Sequence, residues 1–216
     1  MKSAAFGRLV AGPVGSGKTT SCIMELFRRS LEQEKAPDGY RYTRFAVVRQ
    51  TLKQLKDTVL KDIMKELEGL CTYRVTDNLI LVEFGDIRSE WLLIPLEDPE
   101  DQRRLLSMQL TGAWMSECIE MQVKLVAALS GRCGRYPSGN KGYCTWRGVI
   151  ADTNMPSEGS DWHKFMTDPA NTEWEIFLQP GGLEEHAENL MWLNQTAESV
   201  KHPLDSRERA AIGGGH

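Results

Sequence analysis

One octapeptide constrains this chain more than any other feature. Gly12-Pro13-Val14-Gly15-Ser16-Gly17-Lys18-Thr19 matches G-x-x-x-x-G-K-[ST] at every fixed position. An apolar run, RLVA at 8–11, precedes it and stops at Gly12. After it, Cys22, Ile23, Leu26, Phe27 and Leu31 recur at helical spacing from Lys18 to about Glu34. Strand, glycine loop, helix is the setting in which successive backbone N–H groups turn toward phosphate oxygens at a helix N-terminus. In that setting Lys18 reaches the β- and γ-phosphates, Thr19 offers a hydroxyl to Mg²⁺, and Thr20 follows in the first helical turn. A chance glycine-rich turn is the plainer alternative, and the flanking patterns argue against it. The expected ligands are ATP and Mg²⁺.

The rest of the chain alternates apolar runs with helical periodicity. FAVVR (45–49) reads as a second strand ending at Arg49, and residues 51–70 as a helix with Leu55, Val59, Ile63, Leu67 and Leu70 as its stripe. LILVEF (79–84) and WLLIPL (91–96) flank Gly85-Asp86 as a hairpin. A short helix is expected over 99–107, a buried strand over QLTGAWMSE (109–117), and a helix from Ile119 to about Leu129. GVIAD (148–152) reads as a last inner strand and WEIFL (174–178) as an outer one. This alternation predicts an α/β fold of three layers around a mainly parallel sheet. Combined with the glycine loop it is a P-loop NTPase fold of the ASCE/RecA-like type, with an additional strand between the loop strand and a catalytic glutamate. One ATPase domain over 1–200 accounts for it, with 201–216 as a tail.

Composition narrows the remaining classes. The balance, 41% hydrophobic and 26% charged, is that of a globular chain and not of a disordered one. No run of about 18 apolar residues occurs, so no membrane span or membrane partner is expected, and the N-terminus lacks a signal-like apolar core. Five cysteines with no Cys-x-x-Cys pair read as reduced thiols, and four scattered histidines form no metal box. The net charge of −4 conceals a pattern. Residues 1–49 carry nine basic and four acidic residues, and 121–151 five basic and none acidic. Residues 50–120 and 152–216 are acidic. The average argues against a nucleic-acid partner, but the distribution does not, and only the acidic 152–216 segment is expected to face away from DNA.

Hydrolysis needs a group that positions water and positive charge at the γ-phosphate. Ligands of α/β sheets sit at the C-terminal ends of the strands. Glu117, closing one inner strand, suits the water-orienting role; its plainer role is to cap the next helix. Ser116 precedes it, where many P-loop ATPases carry a metal-holding aspartate, and its hydroxyl can bond a metal-held water. Asp152, closing another strand, is an alternative source of that aspartate or simply a turn residue. Arg49, Arg103, Arg104, Arg132 and Arg135 are candidates for charge at the phosphate, or ordinary surface arginines.

The loop 130–147, with Lys124 before it, supplies Lys124, Arg132, Arg135, Lys141 and Arg147, interleaved with Tyr136, Tyr143 and Trp146. It suits duplex DNA phosphates, bound without sequence preference, or else it orders itself or a subunit interface.

Together these residues resemble the ATPase domain of a tailed-bacteriophage terminase large subunit, the motor that packages viral DNA. The resemblance runs in order through GPVGSGKTT (12–20), VVRQTLKQLKDT (47–58) and IPLEDPEDQRRLLSMQLTGAWMSECIEM (94–121). It continues through GRCGRYP (131–137), ADTNMPSEGSDWH (151–163) and FLQPGGLEEHAENL (177–190). It implies that Glu117 is the catalytic glutamate and that Thr153-Asn154 is a coupling motif sensing the γ-phosphate, although Asn154 also suits an Asx turn before Pro156. It implies an arginine finger at Arg103 or Arg104 acting on a neighbouring subunit. Double-stranded DNA, a ring homo-oligomer on the portal, a small terminase subunit and the cytoplasm of an infected bacterium are its implied partners and place.

Three departures stand out: Ser116 in place of aspartate, only eleven residues before Gly12 where the family has an adenine-contacting segment, and an end at AAIGGGH (210–216), where the family's linker to a nuclease begins. No nuclease activity is expected of this chain. Two other readings stay open. One is a P-loop kinase or phosphotransferase with the basic loop 130–147 as its lid. The other is a nucleotide-binding scaffold with weak turnover, favoured by Ser116.

Overall fold

The structure is a computed structural model that describes residues 5–97 and 99–179. Eight strands form one sheet in the order β3-β4-β5-β2-β6-β7-β1-β8. They are β1 Gly7–Ala11, β2 Arg41–Arg49, β3 Cys71–Arg74, β4 Leu79–Phe84, β5 Ile87–Pro95, β6 Gly112–Met115, β7 Gly148–Thr153 and β8 Trp174–Leu178. β1, β2, β5, β6, β7 and β8 run parallel, and the β3–β4–β5 edge is antiparallel. The three-layer α/β expectation therefore holds. β7 lies between β6 and β1, which is the additional strand the sequence led us to expect.

Alternation along the inner strands builds two cores, as a sheet covered on both faces requires. Phe45, Val47, Trp91, Leu93, Trp114 and Ile150 face helix α1 (Lys18–Glu32) and the run α2 (Leu52–Gln54), a π-helical turn at Leu55–Val59, and α3 (Leu60–Glu66). Leu9, Ala11, Ala46, Val48, Met115, Val149 and Ala151 face α4 (Pro99–Ser107), α5 (Leu125–Ser130) and α6 (Asp161–Thr167). Every residue of β1, β6 and β7 is buried. β1 is also tied to α1 by an ion pair between Arg8 and Glu25, with Arg29 on the same carboxylate at 2.8 Å.

Several expectations are corrected. β6 occupies only 112–115 of the expected 109–117, because Leu110 instead bridges to Cys133. The expected helix 119–129 is broken: a 3-10 turn (Cys118–Glu120) ends at extended Met121 (φ −115°, ψ 158°), and α5 starts only at Leu125. The Trp162 indole N–H donates to Met121 O at 2.7 Å and holds that break. The helix expected to reach 70 ends at Glu66, and Leu31 is exposed rather than part of the α1 stripe. β3 was not expected; its four residues alternate half-buried and exposed, too short a pattern to read as a strand. β2 begins four residues before Phe45. The C-terminal part of 177–190 and the tail 201–216 lie outside the described residues.

Candidate nucleotide site at the sheet edge

The parallel strands β1, β2, β6 and β7 end at Ala11, Arg49, Met115 and Thr153, so the segments that follow emerge along one edge. That edge gathers the glycine loop, Arg49, Ser116-Glu117 and Asn154, residues far apart in sequence.

The loop is shaped by its glycines at two positions. A Cβ on Gly12 would stand 2.7 Å from the Gln179 Cβ and 3.4 Å from Ser16 Oγ, so only glycine fits that approach. Gly17 has open space around it but φ +77°, a left-handed backbone that glycine adopts at least cost. It is the N-cap residue of α1, and no side chain caps the helix there. The first-turn N–H groups thus face outward at the positive end of the helix dipole, the arrangement that suits a phosphate. Gly12 N–H donates to Thr153 O (3.2 Å) and Ser16 Oγ to Pro13 O (2.8 Å), fixing the loop to β7 and to itself. Val14 is exposed; Gly15 has φ +79°. Thr19 and Thr20 are half-buried, and the Thr20 hydroxyl donates to Glu66 at 3.3 Å.

Lys18 is the centre of the site. Its ammonium donates to Gly12 O (2.9 Å), Pro13 O (2.7 Å) and Asn154 Oδ1 (3.2 Å). Burial lowers its pKa, and the nearby charges of Glu117 and Asp152 oppose that shift. Asn154, expected to sense the γ-phosphate or to make an Asx turn, has its side-chain oxygen on Lys18.

Glu117 is half-buried with φ +49°, one of two non-glycine residues with positive φ among those described. It stands at the N-cap position of the 3-10 turn but makes no side-chain cap hydrogen bond, so the capping role is not realised. Such strain at the end of an inner strand points to function rather than to turn chemistry. Ser116 is buried, and its N–H donates to Val48 O at 2.9 Å. Thr153 is fully buried.

Asp152 is fully buried. The Trp114 indole N–H donates to Oδ1 at 2.5 Å, and Oδ2 has no hydrogen-bond partner among the described residues. Burial raises the carboxyl pKa to about 7; the Trp114 bond pulls it down, the Glu117 charge pushes it up, and Lys18 and the nearby Glu117 backbone N–H pull it down. Trp114 is a residue that sequence reasoning missed. Its only signal was its place two residues before Ser116 in the same apolar run.

The arginines divide. Arg49 donates to Thr58 Oγ1 (2.6 Å) and lies 3.4 Å from Glu120. β6 and β7 stand between its strand and β1, so it is about 14 Å from the loop strand. Arg103 and Arg104 are exposed on α4, after β5, which is four strands from β1 or about 19 Å. Arg103 pairs with Glu100 at 3.4 Å. Among the described residues, no hydrogen bond or ion pair joins Arg103 to the glycine loop.

The basic loop lies at the other end of the sheet. Arg135 and Tyr136 N–H groups donate to Leu110 O, and Thr111 Oγ1 to Tyr136 O, all at the start of β6. Gln33, past the end of α1, holds Tyr143 O (2.7 Å) and the Thr145 N–H (3.1 Å). Trp146 stacks beneath Arg8 and Arg29 at 5.0 and 4.5 Å. The six residues of β7 separate this loop from the glycine loop by roughly 20 Å. The basic loop therefore does not cover the glycine loop in this structure, which removes the lid on which the kinase reading relied. Arg132 donates to Leu106 O (2.6 Å), and Lys141 sits over Tyr42 and Tyr136 (4.8 and 5.7 Å); both order the loop. Arg135 and Arg147 are exposed, Arg147 lying 5.9 Å over Phe6. Lys124 is exposed but apart from them, N-terminal to α5.

All five cysteines are free thiols. Among the described residues no group of three or more His, Cys, Asp and Glu is placed to hold a metal, and no helix is long and apolar enough to cross a membrane.

No family model matches the sequence, and no curated protein sequence matches it. Solved structures do. The large terminase of a thermophilic bacteriophage, in complex with ADP, superposes with a TM-score of 0.62 at 14% identity, over 81% of this chain and 40% of that one. The large terminase ATPase domain of Thermus phage P74-26 gives 0.52 at 15%, over 82% and 76%. The HK97 bacteriophage large terminase gives 0.54 at 10%, over 85% and 37%. The chain thus spans about two fifths of the length of the thermophilic phage's terminase. At these identities the likeness is one of fold: the eight-stranded, mostly parallel sheet with its glycine loop is the P-loop fold of large-terminase ATPase domains.

Proposed function

We propose that this chain is an ATP-hydrolysing motor domain of a phage DNA-packaging large terminase, occupying about residues 1–200. The observation that carries this reading is the meeting of Lys18, Asn154, Glu117 and Asp152 beside the glycine loop, with β7 interposed between β1 and β6. The thermophilic phage's terminase, solved with ADP and with ATP-γ-S, supports the choice of nucleotide.

In this reading the N–H groups from Gly12 to Thr20 and the α1 dipole bind the phosphates. Lys18 exchanges Gly12 O and Pro13 O for phosphate oxygens. Glu117 accepts a hydrogen bond from the attacking water and orients it in line with the γ-phosphoryl group, which passes to water and leaves ADP. The residues fit a Mg²⁺ ion: Thr19 has its hydroxyl at the loop's end, Ser116 is buried beside Glu117, and a buried acceptor, Asp152 Oδ2, lies nearby. Thr19 would hold it and Ser116 would bond one of its waters. When bound, Mg²⁺ neutralises charge on the β- and γ-phosphates. Loss of the γ-phosphate frees Asn154 to return to Lys18, and Thr153, whose carbonyl holds Gly12, passes that change to β7.

Arg103 or Arg104, exposed on α4, supplies the finger to a neighbouring subunit in a ring on the portal. Arg135 and Arg147, with Lys124 from its separate position, contact DNA phosphates, while Arg132 and Lys141 order the loop. A small terminase subunit and the host cytoplasm complete the setting.

ATP turnover with and without duplex DNA, across a protein concentration series and beside Glu117→Gln, tests this. DNA-stimulated, concentration-dependent turnover abolished by Glu117→Gln is expected. Tight ADP binding with no turnover at any concentration would favour the scaffold reading, which Ser116 supports.

A further inference from the structure

The metal-holding aspartate expected before Glu117 is a serine, yet the site does not lack a carboxylate. We propose that Asp152, on the neighbouring strand β7, holds the water shell of the nucleotide-bound Mg²⁺ in place of a carboxylate at position 116.

Register makes the exchange possible. β6 and β7 are parallel with Met115 opposite Ala151, so Ser116, one step on, comes level with Asp152. Asp152 is also paired with Val10, two residues before Gly12, so it stands directly under the loop. Alternation sends its side chain to the α1 face, the face of Trp114 and Ile150, on which Lys18 and Thr19 open the helix. A carboxylate moved from residue 116 to 152 therefore shifts by one strand spacing, about 4.8 Å, without changing face. One metal-held water spans such a gap.

The carboxylate is also built for a partner that comes from outside the chain. It is fully buried, and Trp114 orients it through Oδ1. Oδ2 has no hydrogen bond of ordinary geometry among the described residues, the Glu117 backbone N–H being the other donor near this carboxyl, and that is a costly state for a buried polar oxygen and a rare one without a use. Lys18 feels the charges of both Glu117 and Asp152, so both acids lie near the ammonium that meets the phosphates. No group of three acidic, histidine or cysteine side chains among the described residues could hold an ion alone. That is the pattern for Mg²⁺, which keeps several waters and shares its remaining sites between one or two protein groups and phosphates. Trp114 is then a positioning residue for Asp152.

The inference rests on the nucleotide-binding reading above. Its test uses a fluorescent ADP analogue, in EDTA and in Mg²⁺, with Mn²⁺ binding to the ADP complex read by electron paramagnetic resonance. Asp152→Asn is expected to weaken Mn²⁺ binding to the ADP complex by tenfold or more, with ADP affinity in EDTA unchanged within about twofold. The swap Ser116→Asp/Asp152→Asn is expected to recover most of the Mn²⁺ affinity, which a merely structural role for Asp152 would not allow. Mn²⁺ affinity in a folded Asp152→Asn within twofold of wild type would overturn the proposal, as would a folded swap variant no better than Asp152→Asn. If Asp152→Asn does not fold, wild-type protein decides: Mg²⁺ added to the ADP complex should change the Trp114 fluorescence, identified by its loss in Trp114→Phe, and an unchanged signal overturns the proposal. Wild-type protein that binds no ADP under any condition would overturn the nucleotide reading and this inference with it. ADP binding that tightens with metal but ignores Asp152 would overturn this inference alone.

Discussion

Lys18 Nζ lies 3.2 Å from Asn154 Oδ1, joining the first residue of α1 to the residue that follows the last position of β7. The same ammonium holds two loop carbonyls, so a phosphate entering the cradle must compete with Asn154 for it. The two ends of the proposed coupling path already touch.

Asn154→Ala should therefore impair turnover more than binding. Removing a preorganised polar group at the reacting phosphate costs on the order of 10²-fold in kcat, and the affinity for ADP should stay within a few-fold. Steady-state kinetics beside ADP titration would check this; an equal loss in both would place Asn154 in simple binding.

Glu117 separates strain from chemistry. Its φ of +49° costs a side-chain-bearing residue roughly 1–2 kcal/mol. Glu117→Gly should thus be about 1 kcal/mol more stable than Glu117→Ala, while both lose some 10²–10⁴-fold in turnover. Urea unfolding of the two variants with single-turnover hydrolysis reads both effects.

Asp152 predicts a pH-dependent stability. Its folded pKa of about 7 stands above the ordinary 3.8 because burial disfavours the charge. Below about pH 4 the group is protonated in both states. Between about pH 4 and 7 the unfolded chain releases a proton that the fold retains, so stability falls as pH rises. The loss levels off above about pH 7 at roughly 4 kcal/mol. Asp152→Asn should remove this slope and gain on the wild type across that window. Denaturant unfolding of nucleotide-free protein at pH values from about 5 to 8 measures it; parallel slopes would contradict the raised carboxyl pKa that burial imposes.

The two exposed arginines of the basic loop give a salt signature. Arg135→Ala and Arg147→Ala should each weaken duplex DNA binding uniformly across sequences and lower the salt dependence by about one counterion. Arg132→Ala, which removes a bond to Leu106 O, should instead lower stability. DNA titrations from low to moderate salt, with thermal unfolding of all three variants, distinguish the roles.

The cradle was legible because it is local: two glycine conformations, a lysine and a helix start lie within eight residues. Glu117 was legible as the end of a strand, although its left-handed backbone was not. The break at Met121 is hidden in the sequence because Ile119, Val123 and Val126 recur at helical spacing across it. The Trp162–Met121 bond that enforces the extended backbone joins residues 41 apart. The basic loop was read for its charges, but its edge of the sheet could not be inferred, and that edge decides against a lid.

By itself the sequence determined the phosphate-binding loop and the alternation of strands with helices. Both follow from short-range chemistry, the φ freedom of glycine and the periods of burial along one segment. Only the tertiary structure decided which side chains meet. Strand order is not chain order, and placing β7 between β6 and β1 brings Asp152 under Trp114 and Asn154 onto Lys18. Those contacts depend on pairing between segments that are distant in sequence, selected by burial of both sheet faces together, and no local pattern encodes them.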